Sequence, residues 1–212
     1  MSKAKSIDTI TKAIHNGFKK AHNQYYKYSG SWLFLAPEYF STVHIYQELA
    51  SKIDNELIRL EVKPSDLLEE SGKVGSGKVS KRISNGRIDL VLDYATGTRE
   101  NPKPRGLIEV KKQVYSIDKI IGDLNRFDLI FKRISNHDIQ HSIQFGMCCY
   151  SVDYTVSKTR DKFQGSISKL KSDLKLWAKD KKYLSVDLNC QQKVEENGNS
   201  WSSVVIVIKR TA

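Results

Sequence analysis

The chain has 212 residues, a net charge of +11 and three cysteines, and its mean hydropathy of −0.48 suits a globular chain with a core of its own. Its longest apolar runs, 32–37 and 204–208, fall far short of the ~20 residues of a membrane span. The lysine-bearing N-terminus lacks the apolar stretch of a secretory signal, and the cysteines (two adjacent, Cys148 and Cys149) fit neither a disulfide framework nor a zinc site. A cytoplasmic protein without a membrane partner is expected, with a polyanion, nucleic acid first, as its partner.

Ile7, Ile10, Ile14 and Phe18 recur at helical steps behind a Ser6 N-cap, predicting a helix over 6–23. Ser29-Gly30-Ser31 breaks the chain, and Pro37 opens a second helix to about Lys52. Residues 57–62 read as a strand, 72–87 as a glycine-rich loop closed by Asn85-Gly86, and 87–94 as a strand. After a Gly/Pro loop over 95–105, a strand is expected at 106–114, a strongly apolar helix at 116–135 and a strand at 143–152. A helix at 160–179 and strands at 184–188 and 202–208 complete the order α-α-β-β-β-α-β-α-β-β. The cysteines are expected as one buried and one half-buried thiol. His137 and His141 stand four apart but without a carboxylate at metalloprotease spacing, and read as surface residues.

The positive charge is concentrated. Residues 72–87 carry Lys73, Lys78, Lys81, Arg82 and Arg87 and no acid, and 158–182 carry nine Lys or Arg against three Asp; the remainder is balanced. The first segment suits phosphate binding, because glycines let a backbone approach a polyanion closely. The second is an amphipathic helix with Ile167, Leu170, Leu174 and Trp177 on its apolar side, and its lysines serve either solvation or a second track.

Chemistry concentrates on two neighbouring strands. In 88–92 the apolar Ile88, Leu90 and Leu92 alternate with Asp89 and Val91; in 108–111 Glu109 and Lys111 share one face, with Ile108 and Val110 turned away. Antiparallel pairing brings Asp89 near Glu109 and Lys111. Two carboxylates and an ammonium suit a hydrated Mg²⁺, with the ammonium beside the reacting water or phosphate. Glu61-Val62-Lys63 repeats the Glu-x-Lys triplet but has no Asp-bearing strand about twenty residues before it.

These residues resemble the PD-(D/E)XK, or restriction-endonuclease-like, nuclease superfamily. The match comprises an acid on a helix, Gly86-Arg87-Ile88-Asp89-Leu90 on a strand, Ile108-Glu109-Val110-Lys111 on the next, and then an amphipathic helix, over roughly residues 32–152. Trp32 and Pro37-Glu38-Tyr39 match small bacterial members; Ile88 replaces the name-giving proline. The resemblance implies an α/β fold in which an α-β-β-β-α-β core with a central mixed sheet is flanked by an N-terminal helix (1–30) and a C-terminal helix and hairpin (153–212), as a single domain. It implies Mg²⁺-dependent hydrolysis of phosphodiesters, with Mn²⁺ as a substitute. Asp89, Glu109 and the Val110 carbonyl would hold the metal, and Lys111 would stand near the attacking water. Glu38 and Glu48 both qualify as the helical acid. A helix leading into the first strand starts at the reacting end of the sheet, and Glu48 lies about 15 Å further along, which favours Glu38. Glu61 is expected near that end, Gln113 to follow Lys111 at strand spacing and contact a phosphate or water, and Asp123 and Arg126 to pair or brace the site. DNA is the expected substrate; RNA and a non-cleaving nucleic-acid-binding module are the alternatives. A homo-oligomer, with 6–23 as contact element, is a further expectation.

Overall fold

The computed structural model describes residues 5–53, 57–71, 86–134, 143–154, 159–194 and 200–211. In chain order these form α1 (Ile7–Ser29), a 3₁₀ turn (Leu33–Leu35), α2 (Glu38–Lys52), β1 (Ile58–Val62) and α3 (Pro64–Glu70). There follow β2 (Ile88–Asp93), β3 (Pro104–Lys112), a 3₁₀ turn (Ile117–Lys119), α4 (Ile121–Arg133), β4 (Phe145–Tyr154), α5 (Thr159–Ala178), β5 (Leu184–Val194) and β6 (Ser200–Arg210).

The six strands form one mixed sheet in the order β1-β2-β3-β4-β6-β5. Among the described residues only β3 and β4 pair in parallel; their connection passes through α4. Helices α1 and α2 cover one face, packing Ile10, Ile14, Phe18, Ile45 and Leu49 onto Leu90, Ile108, Met147, Cys149 and Val205. Helices α3, α4 and α5 cover the other, packing Leu67, Leu124, Phe127 and Leu170 onto Val91, Leu107, Cys148, Tyr150 and Val204. A strand buried on both faces explains both cysteines: each is fully buried, one toward each layer, so the expected half-buried thiol is absent.

The sequence expectations are amended in several places. Helix α1 runs on to Ser29, and Gly30 (φ 64°) caps it through its N–H to the Tyr26 carbonyl. The additional helix α3 separates β1 from β2, with Pro64 opening it and Leu67 and Leu68 fully buried. Ile88 joins the α4-side core with Val91, whereas Leu90 and Leu92 join the α1/α2 side. Strand β3 spans Pro104–Lys112 rather than 106–114, because Gln113 adopts φ 38° and breaks the extended backbone. The last hairpin is far longer than expected, with eleven residues in each strand. The apolar face of α1 is covered within the chain by α2 and the sheet, among them Ile45 and Val205. Among the described residues, no helix is long and apolar enough to cross a membrane.

Candidate active site

Strands β2 and β3 pair from Asp93↔Pro104 to Leu90↔Ile108. There the sheet divides: β3 continues to Lys112 beside β4, whose Ser151 lies opposite, while the β2 pairing stops. The N–H groups of Val110 and Lys112, two residues apart, leave β3 on the same edge and would be unpaired. Two carboxylates take them. Asp89 Oδ2 accepts from the Val110 N–H at 2.7 Å, and Glu38 Oε2 accepts from the Lys112 N–H at 2.9 Å. Within a strand the C=O of a residue leaves on the same edge as its N–H. The Val110 carbonyl is therefore turned to the side from which Asp89 approaches.

The Glu109 side chain turns to the α4 layer and is 1% exposed. Its Oε1 accepts from Arg126 Nη1 at 2.6 Å and its Oε2 from Lys111 Nζ at 3.2 Å. Arg126 also reaches Asp123 through Nη2 at 3.2 Å, and Lys111 Nζ lies 3.6 Å from the same carboxylate. The result is a joined cluster of Asp123 and Glu109 bridged twice by cations, with Asp89 and Glu38 on the strand edge beside it.

The electrostatics follow from this crowding. Burial pushes Glu109 up to about 8, helped by Asp123 and Asp89 and opposed by Lys111 and Arg126. Burial also raises Glu38, against the pull of Lys111 and the Lys112 N–H. For Lys111 burial works downward, but the carboxylates of Glu109, Asp123, Asp89 and Glu38 outweigh it and hold the ammonium above its ordinary range. The Lys111 ammonium is thus kept charged at the meeting point of four acids.

Glu48 lies elsewhere. It is buried against α1 and accepts from Lys20, tying the two helices together about 15 Å along α2 from Glu38. Arg87 donates to the Glu61 carbonyl at 3.1 Å, where Glu61 has φ 55°, so these two residues join the end of β1 to the start of β2 through a backbone acceptor. Gln113, off the strand, does not continue the Glu109/Lys111 face. Lys73, Lys78, Lys81, Arg82, His137 and His141 lie outside the described residues. Gly86 (φ 94°) leads into β2, and a Cβ there would stand 3.5 Å from Arg126 Nη2, so the guanidinium that holds Glu109 also rests on the entry of the Asp89 strand.

The donor chemistry suits a hydrated Mg²⁺, which needs one or two carboxylates and keeps several waters. Asp89 Oδ1 and Glu38 Oε1 make no hydrogen bond among the described residues, while the second oxygen of each is anchored to the backbone. As the side chains stand, no group of three or more His, Cys, Asp or Glu among the described residues could hold a metal ion. Both oxygens of Glu109 are engaged, one by Arg126 and one by Lys111.

Comparison with family models, with curated proteins and with solved structures found no match to this chain.

Proposed function

We propose that the protein is a metal-dependent nuclease of the PD-(D/E)XK kind that hydrolyses phosphodiester bonds in DNA. The observation that carries this reading is the division of the sheet at Leu90↔Ile108, where Asp89 and Glu38 occupy the freed edge of β3 and Lys111 stands among four acids. Asp89, Glu38 and the Val110 carbonyl would hold a Mg²⁺ ion, with Glu109 joining when it exchanges one of its cationic partners for the metal. When bound, the metal supplies charge neutralisation at the phosphate and lowers the pKa of the attacking water.

The chain's own residues do the remainder. Lys111 presents a fixed positive charge where negative charge develops on the phosphate, a form of stabilisation strongest in a partly buried setting. Arg126 holds Glu109 in place, so that an acid buried at 1% exposure keeps a defined position. The hydrogen bonds of Asp89 and Glu38 to β3 fix their carboxylates relative to Lys111, so little reorganisation is needed when substrate arrives.

A non-cleaving nucleic-acid-binding module is the second reading, favoured by one observation: Glu109 is already neutralised by two cations. Plasmid, linear and single-stranded DNA and RNA, incubated with Mg²⁺, Mn²⁺ or EDTA, separate the two. The nuclease reading expects metal-dependent cleavage by the wild type that is lost in Asp89→Ala and Lys111→Ala. Equal cleavage by these variants defeats the site assignment, and salt-sensitive binding without cleavage under any condition supports the module.

A further inference from the structure

One end of the sheet carries more than acids. The exposed large hydrophobic side chains among the described residues are Tyr26, Tyr28, Leu35, Tyr39, Leu60, Tyr115 and Leu176. Five of them, all but Leu60 and Leu176, belong to the segments that meet at the divided end of the sheet. Tyr39 follows Glu38 in the first turn of α2, and Tyr115 follows the end of β3 by three residues. Tyr26 and Tyr28 occupy the last turns of α1, and Leu35 the short turn into α2. The position of the α1 terminus is fixed by its aromatic contacts. The His22 ring stacks on Trp201 at 4.8 Å and lies 5.4 Å from Trp32, which in turn lies 6.0 Å from Tyr26. Trp201 of β6 pairs with Asp153 of β4, two residues beyond the Ser151 that lies opposite Lys112. Helix α1 therefore ends on the side of the sheet where β3 ends, with its His22 seated over β6, two strands from β3.

Beside Tyr39 the surface is hollow. A groove of about 430 Å³ between α1 and α2 is lined by Tyr39, Phe40, Val43 and His44, with Gln24 and Gln47 contributing amides. Tyr39 is 54% exposed, and the Phe40 and His44 rings meet edge to face at 4.7 Å, so an aromatic wall is already assembled. Its volume lies in the range of small-molecule sites, and its contents are those that receive an unstacked base. Aromatic faces stack on any base, and amides can donate and accept along a base edge. The cations on this flank fit the same strand: Lys27 lies over the Tyr28 ring at 5.3 Å, and Lys112 is exposed next to the Glu38 anchor.

We infer that the groove beside Tyr39 receives an unpaired base of single-stranded DNA, the strand continuing over Tyr28, which shares the Gln24 face of α1. The inference rests on the nuclease reading for its placement beside the reacting residues, but it makes a claim about binding alone. In a duplex the base faces are stacked on one another and unavailable to tyrosines; only an unpaired strand can use this rim.

The test is fluorescence anisotropy in EDTA, where no cleavage competes, with labelled oligo(dT), a blunt duplex of the same length and oligo(rU). The wild type is expected to bind oligo(dT) at least about tenfold more tightly than the duplex. Tyr39→Ala is expected to weaken oligo(dT) binding about tenfold with duplex binding unchanged, and Tyr39→Phe to retain the wild-type affinity. Because Tyr39 is exposed, its replacement leaves the core intact. Equal affinity for duplex and oligo(dT), unchanged binding by Tyr39→Ala, or tighter binding of oligo(rU) than of oligo(dT) would overturn the inference. Tyr39-dependent, strand-selective binding by a protein that cuts nothing with Mg²⁺ or Mn²⁺ supports the inference while removing the nuclease reading. Asp89-dependent cleavage indifferent to Tyr39 does the reverse.

Discussion

The two ends of β2 carry the same chemistry and use it differently. Asp89 and Asp93 stand four positions apart on one short strand, and each lies near a second acid that an arginine holds. At the Asp93 end the arrangement is closed. Arg59 donates to both Asp93 oxygens, at 2.7 and 2.9 Å, and to both Glu70 oxygens, at 2.9 and 2.7 Å, linking β1, β2 and α3. Asp93 is fully buried, so all of this guanidinium's directionality goes into holding one fold. At the Asp89 end four acids face two cations, and Asp89 and Glu38 each keep an oxygen that makes no hydrogen bond among the described residues. One end is a completed clamp; the other retains negative charge and oxygen atoms for something that is added.

Substitutions at the two ends should therefore separate activity from stability. The largest effect is expected for Asp89→Asn, which keeps the shape of the side chain but removes its charge. The cleavage rate should fall by about 10²–10³ or more, the scale of losing one charge-stabilising group, with the melting temperature changed by no more than a few degrees. Arg59→Ala should do the opposite. It leaves Asp93 buried without its cation, at a cost of about 3–5 kcal/mol. For a chain of this size that lowers the melting temperature by on the order of 10 °C, while the rate per folded molecule is retained. Thermal unfolding followed by circular dichroism, beside the cleavage assay, reads both.

A third, smaller effect isolates burial from charge pairing. His15 Nδ1 bonds the Ser203 hydroxyl at 2.6 Å in the interior, and burial lowers its pKa to about 4 from 6.5. Between those values the unfolded chain binds a proton that the folded chain excludes. Stability should thus be intact above pH 6.5 and decline as pH falls toward 4, by roughly 3 kcal/mol over the interval. His15→Gln should flatten that part of the stability profile measured by urea titration. The smallest effect is expected for Lys132→Ala, whose partner Asp128 lies one helical turn away at 3.0 Å with the lysine half exposed. Such a pair should change stability by no more than about 0.5 kcal/mol.

What the sequence disclosed follows the range over which each signal acts. The strand patterns around Asp89 and Glu109 and the apolar stripes of α1, α2 and α4 are local, and these elements form close to where they are expected, except that α1 runs on to Ser29 and Ile88 faces away from Leu90. Helix α3 carries only Leu67 and Leu68 as buried apolar side chains in seven residues, too short a stripe to show a period. The outer half of β5 (Asn189, Cys190, Gln191, Gln192, Lys193) has no apolar alternation and gains strand structure only by pairing with β6. The Arg59 clamp joins residues 34 and 11 positions apart, and no local pattern announces it. The direction of α2 relative to the sheet favours Glu38 over Glu48, and Glu38 lies at the strand edge whereas Glu48 is tied to Lys20. The role of Arg126 was legible only as a helical pair with Asp123; its bond to Glu109 depends on how α4 crosses the sheet.

The contrast between the closed and the open end of β2 is tested most directly by calorimetric titration of Mn²⁺ into the wild type, Asp89→Asn and Arg59→Ala, each at a temperature where it is folded. The account predicts binding by the wild type and by Arg59→Ala with similar affinity, and its loss in Asp89→Asn. Binding that persists undiminished in Asp89→Asn, or no binding by the wild type up to millimolar Mn²⁺, would contradict it.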